Sequence, residues 1–349
     1  MAYTTINKQG DYFSTKLFIG NTSARSISGI GFQPDWCWFK NRSQSNGHSI
    51  FDAVRGATKN IISNSNAVES TSSNGLTAFA SDGFSIGSDG DVNGLGDDMV
   101  AWNWRAGGGQ GSSNTDGTIN TTYTSVNTTA GFSICKWSGS GSAGTIGHGL
   151  GAVPKMIIAK RITGGVRNWP VYHHGLGNDK KLYLNDTQAE SSSTNWNSTT
   201  PTSSVFSVGS ADDINGSGST YIAYCFAEKS GYSKFGKYTG NANTDGIFLY
   251  TGFKPSWVMI KNRSESNDWY LFDNSRDTLS PNNPVGRKSL YANTSGAEVT
   301  RTTKDMDFLS NGIKIRTADG SQNNNGANYI YMCFGQSIVG TNNIPATAR

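Results

Sequence analysis

The chain has 349 residues, of which 43 are glycine and 15% are charged, and its formal net charge is +4. This length accommodates two or three domains, each with its own core. The weak and scattered positive charge lacks the basic stripe of a nucleic-acid-binding protein, and no run of 18 apolar residues is present to cross a membrane. Short β-branched and aromatic runs between Gly, Asn, Ser and Asp clusters predict an all-β protein.

Residues 1–12 are predicted to form an N-terminal arm, because they have no counterpart later in the chain. Their polar composition lacks the apolar segment of a signal peptide. We therefore expect synthesis in the cytoplasm.

One strand pattern occurs three times, at residues 34–40, 154–160 and 255–261. Each copy has a proline, one spacer residue, a mainly apolar run and a closing lysine. Proline is tolerated at the start of a strand, and a continuous apolar run indicates a strand covered on both faces. An Asn-Gly pair precedes the last strand of each copy, at residues 93–94, 215–216 and 325–326, and predicts a hairpin turn. Period-two alternation predicts core-facing side chains in those last strands: Val100, Trp102, Trp104, Ile222, Tyr224, Phe226, Ile330, Met332 and Phe334.

The recurring order of motifs predicts three tandem repeats, each an antiparallel β-sandwich or jelly-roll unit. We place repeat 1 at residues 13–106, repeat 2 at 130–230 and repeat 3 at 231–337. Residues 107–129 are rich in Gly, Ser, Thr and Asn, which predicts a flexible linker, and residues 338–349 form a C-terminal tail. The repeats are either separate sandwiches or parts of one pseudo-threefold body.

The stretch at residues 89–94 matches the opening D-x-D-x-N-G of an EF-hand calcium loop. Asp89, Asp91 and Asn93 are therefore candidate calcium ligands, and no other cofactor is expected. The twelfth position is Val100 instead of glutamate, and no flanking helices are indicated. The alternative is turn chemistry, in which the same side chains bond to nearby backbone.

No catalytic residues are predicted. The Phe-Asp-x-x-Arg motif predicts a salt bridge between a strand end and its turn, and it occurs with Asp52 in the first copy and Asp273 in the third. Acid–base catalysis on a sugar would need a second carboxylate nearby. His173 and His174 are neighbours on a strand and point to opposite faces, so they are not a shared zinc site.

The candidate ligand-binding residues are aromatic side chains in polar surroundings. Trp196 lies in a polar stretch beside Asn195 and Asn197, where its ring either folds back as a lid or stays exposed for stacking. Trp169 and Trp269 occupy matching turns in the second and third copies. An indole face beside amides suits a sugar, and it equally suits a protein partner.

The ordered motifs resemble repeats in virion structural proteins of marine tailed bacteriophages. The motifs are P-x-W-[VM]-x-I-K-x-R, F-D-x-x-R, L-Y-x-N, D-G-F-x-[IV]-G and Y-I-A-Y-x-F-A. The matching stretches are residues 34–42, 51–55, 82–87, 154–161, 182–185, 221–227, 255–263, 272–276 and 290–293. The second copy departs from the pattern, with Lys155 in place of tryptophan and no Asp-x-x-Arg.

The resemblance implies a tail, fibre or other virion component with lectin-like sandwich domains, and it supplies no catalytic residues. We expect a non-enzymatic virion protein of the tail or fibre apparatus, active in host attachment, with host-surface glycan as a ligand. Its expected partners are other virion proteins and further copies of itself; nucleic acid and membrane insertion are not expected. The first alternative is a capsid decoration or tail adaptor protein without a ligand, and the second is a glycan depolymerase.

Overall fold

A computed structural model of the chain describes residues 4–277, 287–301 and 303–339. The first three residues of the predicted arm and residues 340–349 of the predicted tail lie outside the described residues. The described part consists almost entirely of strands and loops, with several antiparallel sheets, so the all-β prediction is confirmed.

The first part of the chain contains a 3-10 helix at Gln9–Asp11 and a short helix, α1, at Gly90–Asn93. Its strands are β1 (Phe13–Ile19), β2 (Arg25–Ser28), β3 (Trp36–Asn41), β4 (Ser49–Asp52), β5 (Lys59–Ile62), β6 (Ser70–Thr71), β7 (Leu76–Ala80), β8 (Gly83–Ile86) and β9 (Asp98–Trp104). The middle part has β10 (Thr121–Asn127), β11 (Phe132–Ser138), β12 (Gly144–Gly147), β13 (Pro154–Arg161), β14 (Pro170–His173), β15 (Lys180–Tyr183), β16 (Ser191–Ser192), β17 (Val205–Val208) and β18 (Thr220–Ala227).

The last part contains a second short helix, α2, at Gly320–Asn323. Its strands are β19 (Ser233–Thr239), β20 (Phe248–Tyr250), β21 (Lys254–Asn262), β22 (Trp269–Asp273), β23 (Lys288–Tyr291), β24 (Val299–Thr300), β25 (Met306–Leu309), β26 (Gly312–Ile315) and β27 (Asn328–Gln336).

Three large sheets have corresponding strand orders: β1-β9-β3-β4-β5-β6, then β10-β11-β18-β13-β14-β15-β16, then β19-β27-β21-β22-β23-β24. Each has a smaller sheet beside it: β2-β8-β7, β12-β17 and β20-β26-β25. We call a large sheet with its smaller sheet a unit and number the units in chain order. The proline-led strands β3, β13 and β21 lie inside their sheets, and every residue of β3 is buried, as a two-sided apolar run predicts.

The three large sheets share one core. Because side chains alternate across a strand, Trp36 and Trp38 of β3 face this shared core while Cys37 and Phe39 face the small sheet of their own unit. Rings from all three units meet in the shared core. The nine side chains predicted to face the core from β9, β18 and β27 all lie in this shared cluster, which confirms the alternation.

The same backbone hydrogen bond joins each unit to the next. A glutamate amide beside the outermost strand of one large sheet donates to a carbonyl just after the proline-led strand of the next. The pairs are Glu69 to Ile162 (3.2 Å), Glu190 to Arg263 (2.9 Å) and Glu298 to Arg42 (2.8 Å). These bonds link the first unit to the second, the second to the third and the third to the first, so the ring of units is closed.

Buried ion pairs reinforce this ring. Asp52 and Arg55 form the predicted strand-to-turn salt bridge at 2.6 Å, with both side chains fully buried. The Asp52 carboxylate also accepts a hydrogen bond of 2.7 Å from the hydroxyl of Tyr224 in the second unit. In the corresponding place, Asp273 of the third unit accepts a hydrogen bond of 2.9 Å from the indole of Trp102 in the first.

Two local predictions are corrected. The predicted linker at 107–129 contains strand β10, which pairs with β11 along the edge of the second large sheet. An edge strand offers unpaired N–H and C=O groups, so a polar segment can pair with it without burying apolar side chains. The predicted Asn-Gly hairpins are also absent from all three copies, because β8 and β9, β17 and β18, and β26 and β27 belong to different sheets. In the first copy, residues 90–93 form helix α1 between the two strands.

Candidate functional site

A polar cavity of about 600 Å³ opens on the second unit. One wall comes from Asp179 and Lys181 at the start of β15, and another from the loop after β16, including Ser193 and Asn195. The turn at residues 211–213 completes it. The lining therefore consists of hydroxyl, amide, carboxylate and amine groups.

Local hydrogen bonds hold the loop after β16 against β15. The strands pair through Lys180 with Ser192, and the Ser193 amide then donates to the Asp179 carbonyl at 2.8 Å. The Ser193 hydroxyl accepts a hydrogen bond of 3.0 Å from the amide of Asn195. The cavity wall is thus set by backbone geometry.

Two of the three carboxylates at the cavity are paired with cations. Asp212 lies 2.6 Å from the guanidinium of Arg167, and Asp213 lies 3.1 Å from the ammonium of Lys181. The phenol of Tyr183 donates to Asp213 at 2.6 Å. Burial and this carboxylate raise the pKa of Tyr183, so the phenol stays protonated and keeps donating.

Trp196 is part of the core of the second unit. Its ring is 1% exposed and packs edge-on against Tyr172 at 5.7 Å between centroids. The lid alternative is therefore the one that the structure shows, and the exposed stacking face predicted for Trp196 is not present. Asn197 is exposed, whereas Asn195 is 2% exposed, lines the cavity and has a side-chain nitrogen without a hydrogen-bond acceptor in the described part of the chain.

Trp169 and Trp269 are also buried, at 0% and 1% exposed, so the prediction that they contact a ligand is corrected. Each indole N–H donates to a backbone carbonyl of the preceding unit. Trp169 reaches Ser65 at 2.9 Å, and Trp269 reaches Tyr183 at 2.8 Å. Their polar sequence neighbours gave no sign that another unit covers the rings.

The predicted calcium ligands bond to the protein itself. Asp89 caps helix α1 by accepting from the amide of Asp91 at 3.0 Å, and it also accepts from the hydroxyl of Ser72 at 2.5 Å. The side-chain amide of Asn93 donates to two backbone carbonyls, and the carboxylate of Asp91 accepts from the side chain of Asn46. Within residues 4–277, 287–301 and 303–339, no group of three His, Cys, Asp or Glu residues is arranged to hold a metal. Turn chemistry accounts for these side chains.

Two histidines, the buried His173 and the exposed His174, lie at the boundary between the second and third units. His173 Nε2 is 3.2 Å from the carbonyl oxygen of Tyr331, and His174 Nε2 is 2.9 Å from that of Phe235. Burial lowers the pKa of His173 to about 3, so the ring is neutral at pH 7 and serves as a structural donor.

The predicted site and the observed cavity overlap only at Asn195. Asp179, Lys181 and the turn at 211–213 line the cavity and were not among the residues predicted from the sequence. One signal was available: Ala211 stands where the other two units have Asp89 and Asp319.

These features define an all-β protein in which three antiparallel sheets enclose a common core and one unit carries a polar cavity. The chain belongs to the family described as Domain of unknown function (DUF7483), whose model matches residues 8–337. Searches of curated proteins and of solved structures found no match. In the described part of the chain, neither helix has the length or apolar content to span a membrane.

Proposed function

We propose that this chain is a non-enzymatic structural protein of a tailed-bacteriophage virion, built from three tandem β-sandwich repeats. Its place is in the tail or fibre apparatus, where it contacts other virion proteins and further copies of itself. A host-surface glycan is its ligand, and the polar cavity of the second unit is the binding site. The resemblance of the ordered motifs to marine phage virion proteins supports the class.

The observation that carries the proposal is the interlocking of the three units by buried charged groups. Asp52 and Arg55 are fully buried, and their network is complete only when Tyr224 of the next unit is in place. A buried charge without its partners is costly, so such contacts favour one arrangement of the sheets over all others. A rigid closed body of this kind suits a particle component that displays loops to partners.

The cavity favours binding over cleavage of a glycan. A glycosidase needs a proton-donating carboxyl and a second carboxylate placed across the scissile bond. Here Asp212 and Asp213 are engaged by Arg167 and Lys181. This pairing argues against the depolymerase alternative.

The adaptor alternative has one observation in its favour. Phe248 and Tyr250 are 42% and 61% exposed on β20, the edge strand of the small sheet in the third unit. Exposed aromatics on an edge strand are typical of protein–protein contacts.

The test is to locate the protein in purified phage particles. Particles of the phage that encodes the chain are banded on a density gradient, probed with antibody to the folded chain and imaged by immunogold electron microscopy. We expect gold on the tail or its fibres. Gold on the capsid favours the decoration alternative, and protein that stays in the lysate and never bands with particles refutes a virion role.

A further inference from the structure

We propose that the cavity of the second unit binds a neutral saccharide through adjacent hydroxyl groups, and that Ala211, where the other two units have an aspartate, leaves room and hydrogen-bonding groups for the ligand. This inference rests on the glycan-binding part of the proposed function and names its site and ligand class. The turn that contains Ala211 has a counterpart in each of the other two units.

The turn before the last strand has the same backbone geometry in each unit. In each, the amide of a buried asparagine donates to the carbonyl of the residue four positions earlier. The pairs are Asn93 to Asp89, Asn215 to Ala211 and Asn323 to Asp319, all at 2.8 Å. Ala211 therefore occupies the position of the two aspartates.

In the first and third units the aspartate side chain takes up the available donors. Asp89 accepts from the amide of Asp91 at 3.0 Å and from the hydroxyl of Ser72 at 2.5 Å. Asp319 accepts from the amide of Ser321 at 2.8 Å and from the ammonium of Lys304. Both carboxylates lie where the turn faces the loop after the outermost strand.

In the second unit, alanine leaves these donors available. The serine corresponding to Ser72 is Ser193, since each donates its amide at 2.8 Å to the carbonyl before the adjoining strand. Ser193 and Ala211 both line the cavity. The place that an aspartate carboxylate would occupy is therefore open in the second unit and is bounded by hydrogen-bonding groups.

A second, independent observation indicates a ligand here. Asn195 lines the cavity, is 2% exposed, and its side-chain nitrogen has no acceptor among the described residues. Buried polar nitrogens in folded proteins are nearly always satisfied, and each exception calls for a partner. The nitrogen is itself covered, so a ligand oxygen would supply the acceptor once the Asn195 side chain turns toward the cavity.

The charge of the walls selects the chemical class of the ligand. Three carboxylates line the cavity, and those of Asp212 and Asp213 are paired with cations, so the unpaired carboxylate of Asp179 is the group that disfavours an anionic ligand. Asp179 is exposed and is not engaged by any cation of the described residues, so it can accept from ligand hydroxyls. A sugar hydroxyl both donates and accepts, and adjacent hydroxyls match an amide donor beside a carboxylate acceptor. These properties fit a neutral saccharide and not a uronic or sialic acid.

The test uses the full chain and a panel of neutral hexoses, deoxyhexoses and N-acetylhexosamines, with uronic and sialic acids for comparison. Binding is measured by saturation-transfer NMR and titration calorimetry. We expect at least one neutral sugar to bind. Ala211→Asp, which places a carboxylate among the groups that would bind the ligand, should weaken binding at least about tenfold, the equivalent of 1.4 kcal/mol. Its melting temperature should be unchanged or higher.

Ala242→Asp is the matched control. It adds the same charge at an exposed turn with φ of 50°, a conformation that aspartate tolerates, and binding should persist. Asn195→Asp keeps the shape of the side chain, removes its donor and should also weaken binding, which covers the case in which Ala211→Asp misfolds.

Three outcomes overturn the inference: no neutral sugar bound by the folded protein, preference for acidic sugars, or binding that survives both cavity substitutions. Each of these outcomes is compatible with the virion role if the immunogold experiment labels the particle. Conversely, sugar binding by a protein absent from particles refutes the virion role alone.

Discussion

The most demanding test of the closed ring is the removal of the Asp52 carboxylate. Asp52→Ala leaves the guanidinium of Arg55 buried without its 2.6 Å partner and deprives the Tyr224 hydroxyl of its acceptor. Breaking a buried ion pair costs about 3–5 kcal/mol. Glu69 remains 3.4 Å from the same guanidinium, so we expect the lower end of that range, about 3 kcal/mol.

The contribution that crosses between units can be isolated with Tyr224→Phe. This change removes only the hydroxyl, whose hydrogen bond to a charged group is expected to contribute about 1.5–3 kcal/mol. Because the two groups share one bond, the double variant Asp52→Ala/Tyr224→Phe should lose less stability than the sum of the single variants.

The assay is guanidinium unfolding followed by tryptophan fluorescence and circular dichroism. Both probes should report one transition, since the units share a core. Asp245→Ala, which removes a largely exposed ion pair, is the control and should not shift the midpoint measurably. A loss below about 1 kcal/mol for Asp52→Ala, or strict additivity in the double variant, would refute the claim that this network joins the units.

Three further predictions concern single side chains. His173 is neutral in the folded protein because burial lowers its pKa to about 3, so the unfolded chain binds more protons between pH 3 and 6.5. The free energy of unfolding should therefore fall on acidification by up to about 1.4 kcal/mol per pH unit. In urea unfolding, His173→Gln should have a shallower pH dependence than wild type. Trp196→Ala should lower the free energy of unfolding in urea by about 3–5 kcal/mol because the ring is buried in the core. Unchanged stability together with lost sugar binding would contradict this buried role of Trp196. Asp89→Ala should lower the free energy of unfolding by about 0.5–2 kcal/mol because helix α1 loses its cap. Asp89→Asn should melt closer to wild type, and equal melting temperatures for all three proteins would contradict the capping role of Asp89.

The parts of the fold that sequence predicts are those set by local alternation. Trp102 and Tyr224 sit at alternate positions in apolar runs, and such positions face one side whatever the rest of the chain does. The salt bridge between Asp52 and Arg55 is equally local, because its partners are three positions apart in the chain. These predictions required no knowledge of how the units meet.

The misplaced predictions depend on contacts between distant segments. Trp169 has polar neighbours in sequence, yet its ring is covered because the first unit supplies the Ser65 carbonyl. Strand β10 forms because β11 presents an open edge, which composition does not reveal. The cavity is visible in the sequence only as the change from Asp89 and Asp319 to Ala211, and that signal needs the units to be aligned first.

The closed ring has a consequence for the order of the chain. The amide of Gln9 donates to the side chain of Gln336 at 2.7 Å, and the side chain of Gln336 donates to the carbonyl of Asn7 at 3.0 Å, so the segment before the first unit contacts the end of β27, the last strand of the third. A circular permutant that joins these segments and opens the connection between the first and second units would keep every inter-unit bond. The order of the units along the chain is therefore set only by how they are connected, and the same fold does not require a particular unit to come first.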